Sequence, residues 1–240
     1  MKSILKWLYH PSEFATFNEG VSLVFSPYNR LVRILFGWRF INWIFKWFSF
    51  GYRVIFGERL FEIPVFWMNF ANLSGSIKRV LDFGCCESKI SLQLSSLGYE
   101  VTGIDLRDYP YKHSMPGFNF IKGDIFENSS DMECFDLIVA ISAIEHVGLR
   151  VYGGSFQRDD KSLIKIFSQV LNPKGYLFVT VPYGMEYKEI DWLRIHNDAS
   201  LDRLFSPEFN LLKTNVFTIP KSKHWHGYSE KVWCGLLQKN

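Results

Sequence analysis

Residues 79–88 are RVLDFGCCES. Val80 and Leu81 form a short apolar run that stops at Asp82 and Gly84, which predicts a buried strand ending in a tight turn. Further strands are predicted at 99–104 (YEVTGI), 118–122 (FNFIK), 135–141 (FDLIVAI) and 176–181 (YLFVTV). Helices are predicted at 88–97 and 160–171, the second ending at the stop signal Asn172-Pro173-Lys174-Gly175. Leu211–Thr218 and Lys231–Gln238 read as a closing pair of strands. Alternating strands and helices predict an α/β fold: a mostly parallel central sheet with helices on both faces.

The chain has 240 residues, and its net charge of +3 is unevenly placed. Residues 1–57 carry seven Lys/Arg and two Glu, leaving twenty and twenty-two acids to the rest. The aromatic share is 18%, so the protein has much apolar surface to hide or meets something greasy. The sequence thus divides into a basic, aromatic front segment, 1–57, and a near-neutral body, 58–240. Cys85, Cys86, Cys134 and Cys234 have no metal-ligand spacing and suggest no disulfide framework, which favours a reducing cytoplasm. No cleavable leader is expected near Met1.

In the front segment, Arg33, Arg39, Lys46 and Arg53 interrupt residues 31–56, so a bilayer span is not expected. Arg39, Asn42, Lys46, Ser49 and Arg53 fall on one stripe of a helix whose remaining surface is apolar and aromatic. Two readings stay open. One is a helix lying in a membrane interface at the inner face of the membrane. The other is a core or dimer helix whose stripe is the part left in water.

Five strings carry a resemblance: VLDFGC, VTGIDL, GDIFE, FDLIVAISAIEHVG and VLNPKGYLFVTVP. In order and spacing, over about residues 78–183, the chain resembles class I S-adenosylmethionine (SAM)-dependent methyltransferases, with their Rossmann-like fold. Their first motif normally runs D-x-G-x-G-x-G; here Cys86 and Ser88 replace the second and third glycines, so an altered backbone geometry is expected. The resemblance implies SAM as cofactor, with Asp82, Gly84, Cys85, Cys86, Asp105, Leu106, Asp124, Ile125 and Ser142 around it. Asp82 would orient the cofactor's ammonium group, Asp105 accept both ribose hydroxyls, and Asp124 contact the adenine amino group. Every candidate ends a predicted strand, where ligands sit in open parallel sheets. For an acid after a strand the plain alternative is a solvated turn or a helix cap.

Glu145-His146 follows the fourth strand, the junction that faces the transferred methyl group in this fold. His146 could take a hydroxyl proton near neutral pH, with Glu145 orienting it, holding the acceptor or serving as the base; a structural histidine is the alternative. The E-H-V-G string also resembles cyclopropane fatty-acid synthases. Tyr152-Gly153-Gly154 reads as an acceptor loop, and Arg194 and His196 as acceptor contacts after the fifth strand. GERLFEIP (57–64) resembles a segment of bacterial methyltransferases linked to surface-polysaccharide synthesis, with Glu58 and Glu62 on one helical face. KHWHGY (223–228) has no acid or cysteine partner at suitable spacing, so no metal site is expected.

The expected activity is methyl transfer to a hydroxyl of a small or lipid-linked acceptor, first of all a sugar of a bacterial surface glycan. A lipid, quinol or fatty-acyl acceptor is the alternative, and a non-catalytic membrane-associated scaffold a third. No Asn-Pro-Pro-aromatic string follows the fourth strand and the body is slightly acidic, so nucleic acid is not an expected partner.

Overall fold

The computed structural model describes residues 14–18, 21–25, 52–110, 115–149, 158–219 and 231–240. The chain divides into two compact units, Met1–Phe61 with Pro220–Trp225, and Glu62–Ile219 with His226–Asn240. In the first unit β1 (Phe14–Asn18), β2 (Val21–Phe25) and β3 (Tyr52–Phe56) form an antiparallel sheet in that order. The expected helix through Arg53 is corrected here. Tyr52-Arg-Val-Ile-Phe is rich in aromatic and β-branched residues, and it pairs with β2 as a strand. The rest of the basic stripe, Arg39, Asn42, Lys46 and Ser49, lies outside the described residues. Among the described residues no helix is long and apolar enough to cross a membrane.

The second unit is built on a seven-stranded sheet. Its strands are β4 (Arg79–Phe83), β5 (Glu100–Asp105), β6 (Phe118–Lys122), β7 (Phe135–Ile141), β8 (Leu171–Tyr183), β11 (Phe209–Thr218) and β12 (Lys231–Lys239). Their spatial order is β11-β12-β8-β7-β4-β5-β6, parallel throughout except around β12, which runs antiparallel to both neighbours. Chain order reverses between β4 and β7, and this is where an open α/β sheet leaves its crevice.

Side-chain alternation sorts the two faces. Leu177, Val179 and Val181 of β8 face one core with Leu81 of β4 and with Leu163, Ile164 and Phe167 of α4 (Asp160–Val170). Phe178 faces the other way and meets Phe66 of α1 (Arg59–Leu73) edge to face at 5.4 Å; Phe70 of α1 meets Tyr99. Thr180 shares the Phe178 face by the same period. Helix α4 stops at Val170, as the Asn-Pro-Lys-Gly signal predicts, and the chain passes directly into β8 with Lys174 left-handed at φ 62°. Short helices α2 (Ile90–Ser96), α3 (Ile125–Asn128) and α5 (Asp198–Phe205) complete the layers.

Candidate functional site

The β4 strand delivers Asp82 and then Gly84 at the switch point. Gly84 has φ 75°, and a Cβ placed on it would stand 2.8 Å from the Ala143 Cβ, so both backbone conformation and space require glycine. Cys85–Glu87 then makes one short 3-10 turn, and Ser88 is extended at φ −128°. Gly84 is the one left-handed residue of this loop, so Cys86 and Ser88 occupy places that need no glycine. The expectation of an altered loop geometry is thereby narrowed to side-chain volume. Asp82 is buried and accepts a hydrogen bond from the Ser91 hydroxyl at 2.5 Å.

The two cysteines are structural in their chemistry. Burial, then the Asp82 charge, pushes the Cys85 thiol far up, and burial followed by Asp105 pushes Cys86 up to about 12. Neither is a thiolate near neutral pH. The Cys85 sulfur packs where a side chain on Gly103 would stand, while the Cys86 N–H donates to Asp105 Oδ2 at 3.1 Å, tying the loop to the end of β5.

Asp105 meets four donors. Arg107 N and Nε reach Oδ1, and Arg107 Nη2 and Cys86 N reach Oδ2, all at 3.0–3.1 Å. Burial works to raise this carboxyl's pKa, but the Arg107 side-chain and backbone donors outweigh it and hold the group below its ordinary range. Leu106 beside it is exposed. Asp124 caps α3 through the Phe126 N–H at 3.0 Å and also pairs with Arg158 at 2.5 Å; Ile125 is buried. Two of the three acids expected at the cofactor, Asp105 and Asp124, therefore pair with an arginine, a feature not read from the sequence.

At the end of β7, Ser142 is left-handed with φ 44°. Its N–H donates to the Thr180 carbonyl and hydroxyl, and its own hydroxyl donates to Glu62 Oε1. One turn on, Glu145 is buried and His146 half-buried, with His146 Nε2 3.9 Å from Glu145 Oε1. His146 Nδ1 lies 2.6 Å from the Trp192 carbonyl. A carbonyl can only accept, so Nδ1 carries a proton, and in the neutral form of the ring the lone pair lies on Nε2. The Trp192 indole lies almost parallel to the imidazole, at 17° and 6.0 Å. Sequence reasoning missed Trp192 because its contribution comes from the backbone.

Trp192 belongs to a hairpin of β9 (Lys188–Ile190) and β10 (Leu193–Ile195) inserted after β8. The same hairpin carries Arg194 and His196, and the structure buries both. Arg194 donates to the Val147 carbonyl at 2.5 Å and to Glu189 at 2.8 Å, with Asp160 at 3.8 Å. It ties the hairpin to the turn that holds His146. His196 contacts the Ser200 hydroxyl; burial, then the Arg194 charge, lowers its pKa to about 4 and keeps it neutral. Tyr152 lies outside the described residues. Among the described residues no cluster of His, Cys, Asp and Glu could hold a metal ion.

The arrangement gathers a glycine turn, two carboxylates beyond successive strands and an imidazole backed by a carboxylate. Residues 81–179 match the family model described as a methyltransferase domain. A ubiquinone biosynthesis O-methyltransferase of Nitrosococcus oceani is 34% identical over 133 residues, 50% of this chain and 53% of that protein. The chain thus spans about half the length of this curated relative. Among solved structures, the Burkholderia thailandensis 1,6-didemethyltoxoflavin-N1-methyltransferase superposes with TM-score 0.56 at 14% identity, covering 95% of this chain and 100% of that one. TehB from Haemophilus influenzae superposes with TM-score 0.52 at 20% identity, covering 72% and 62%. The second unit has the Rossmann-like fold of the class I methyltransferases.

Proposed function

We propose that this chain is a SAM-dependent methyltransferase that methylates a hydroxyl of a small or lipid-linked acceptor. The observation that carries the reading is the His146 geometry: Nδ1 held by the Trp192 carbonyl and Nε2 3.9 Å from the buried Glu145 carboxylate, at the β7 end of the switch point. The methyltransferase-domain match over 81–179 and the shared fold supply the cofactor.

SAM, when bound, supplies an electrophilic methyl group on a sulfonium. Asp105 would accept the ribose hydroxyls and Asp124 the adenine amino group, with Leu106 and Ile125 beside them. Asp82, oriented by Ser91, would hold the ammonium group, with Gly84, Cys85, Cys86 and Ser142 around the amino-acid portion. These side chains fit the group in chemistry, since the buried carboxylates Asp82 and Asp105 stand at the ends of neighbouring strands beside the Gly84 turn. His146 Nε2 would take the acceptor's hydroxyl proton, and the imidazolium so formed would be stabilised by Glu145 and by the Trp192 carbonyl. Placing and deprotonating the acceptor is the protein's main task, because the methyl donor is already activated.

For the acceptor, a surface-glycan sugar follows from the GERLFEIP resemblance, and membrane contact through 31–56 would suit a lipid-linked form of it. A quinol is the second reading, favoured by the relative named for ubiquinone biosynthesis. Calorimetry with SAM and S-adenosylhomocysteine (SAH), then labelling of fractionated extracts with methyl-labelled SAM, tests the proposal. Heat from SAH and label in a hydroxyl-bearing pool is the expected outcome. A folded protein giving no heat with either ligand would point instead to the non-catalytic scaffold.

A further inference from the structure

Helix α1 buries one stripe, Glu62, Val65, Phe66, Asn69 and Phe70, against the sheet. Its spacing is that of an ordinary amphipathic helix, except that a carboxylate stands at the first core position. Glu62 is 0% exposed. A buried acid at a position that packing would fill with Leu costs desolvation, so its partners decide what it does. Those partners form a closed ring. The Ser142 and Thr180 hydroxyls both donate to Glu62 Oε1 at 2.5 Å, and the Ser142 N–H donates to Thr180 Oγ1 at 2.9 Å.

The residue so held is itself unusual. Ser142 has φ 44°, where a side chain is disfavoured and glycine is the ordinary occupant. It is followed by Ala143, whose Cβ abuts the Gly84 turn. A rotation of Ser142 out of the left-handed region would drag Ala143 across that turn and shift the short 3-10 segment Ile144–His146 behind it. The conformation of one serine thus sets the gap between the ends of β4 and β7.

We infer that Glu62 is a positioning residue of the cofactor pocket: its buried carboxylate clamps Ser142 in the left-handed conformation and so fixes the wall facing Gly84. The inference rests on the SAM reading above. It assigns to α1, which precedes the methyltransferase-domain match, a part in building the site.

The test is SAH affinity by calorimetry on the full chain, with urea unfolding run alongside. Glu62→Ala is expected to weaken SAH about tenfold, the size of a typical coupling between contacting residues. Glu62→Gln keeps an amide oxygen for both hydroxyls and stays within about threefold of the parent. The deciding variant is Glu62→Ala combined with Ser142→Gly, since glycine adopts the left-handed conformation unaided. It should bind SAH within about threefold of Ser142→Gly alone. A residue that merely stabilised the fold would lose unfolding free energy without that relief of affinity. If Glu62→Ala does not fold, Thr180→Val removes the hydroxyl shared by Ser142 and Glu62, and its loss of affinity should likewise be relieved by Ser142→Gly. A parent chain that binds SAH, with Glu62→Ala binding equally well or with losses untouched by Ser142→Gly, overturns the clamp alone. A parent chain that binds no SAH overturns the SAM reading and the clamp with it.

Discussion

Arg107 should compete with the cofactor for Asp105. A carboxylate offers about four acceptor positions, and all four on Asp105 are taken, three of them by Arg107. The Asp105 side chain is only 5% exposed, so a ribose diol reaches it by displacing Arg107 Nε and Nη2. Hydrogen bonds between ionised partners are worth about 1.5–3 kcal/mol when sheltered. The Arg107 side chain is 55% exposed, and solvent screening reduces its share to about 1 kcal/mol. Removing this internal competitor is worth about fivefold in affinity at that figure. Arg107→Ala is therefore expected to bind SAH about fivefold more tightly than the parent, read by calorimetry at low salt. Raising the salt should shrink the gap, because the competing pair is the screened one. Weaker or equal binding by Arg107→Ala would refute the argument and make the arginine a cofactor ligand or a bystander.

Other outcomes follow from single contacts. His146→Ala should cut turnover by about 10²–10⁴ with SAH affinity kept within about twofold, in a stopped assay on the labelled acceptor pool. Full activity would remove His146 from the chemistry. Gly84→Ala forces a side chain to φ 75° and against Ala143, and should cost about 2 kcal/mol in urea unfolding. His196 has a pKa lowered to about 4 in the folded protein against 6.5 ordinarily, so the unfolded chain binds a proton that the folded one refuses. Stability should fall as pH drops from 6.5 towards 4, by about 2 kcal/mol at pH 5. The parent should lose that much relative to His196→Asn between pH 8 and pH 5; a constant difference would show that His196 titrates normally.

What the sequence made legible was whatever depends on local period and punctuation. The strand at 118–122, the strand at 135–141, the helix stop before Asn172 and the turn at Gly84 rest on short apolar runs or on glycine and proline, and the structure has each of them. Arg194 and His196 show the opposite case. They were expected as acceptor contacts; the structure buries both, with Arg194 on Glu189 and near Asp160 of α4, and nothing within a few residues signals that burial. Trp192 contributes a carbonyl, which every residue owns. Glu62 was visible as an acid beside Glu58 on a helix, but its partners lie 80 and 118 residues away. The strand Tyr52–Phe56 was lost inside a longer helical period, although four of its five residues are aromatic or β-branched.

The carboxylates at this crevice share one physical condition. Asp82, Asp105, Asp124 and Glu62 each lie at or beneath a strand end, and each already has a donor: Ser91, Arg107, Arg158, and the Ser142–Thr180 pair. Buried acids are tolerated on that condition, since an unpaired one would cost more than folding can spare. A ligand bringing a cation, a diol and an amino group meets partners that are already occupied, so binding becomes an exchange of donors. Its affinity measures the difference between two sets of bonds. The cheapest exchanges are at the exposed arginines, and the costliest is at Glu62, which lies under the helix and holds protein rather than ligand. That ordering separates groups that yield to a cofactor from the group that keeps the pocket in shape, and it predicts opposite signs for Arg107→Ala and Glu62→Ala in one titration with SAH.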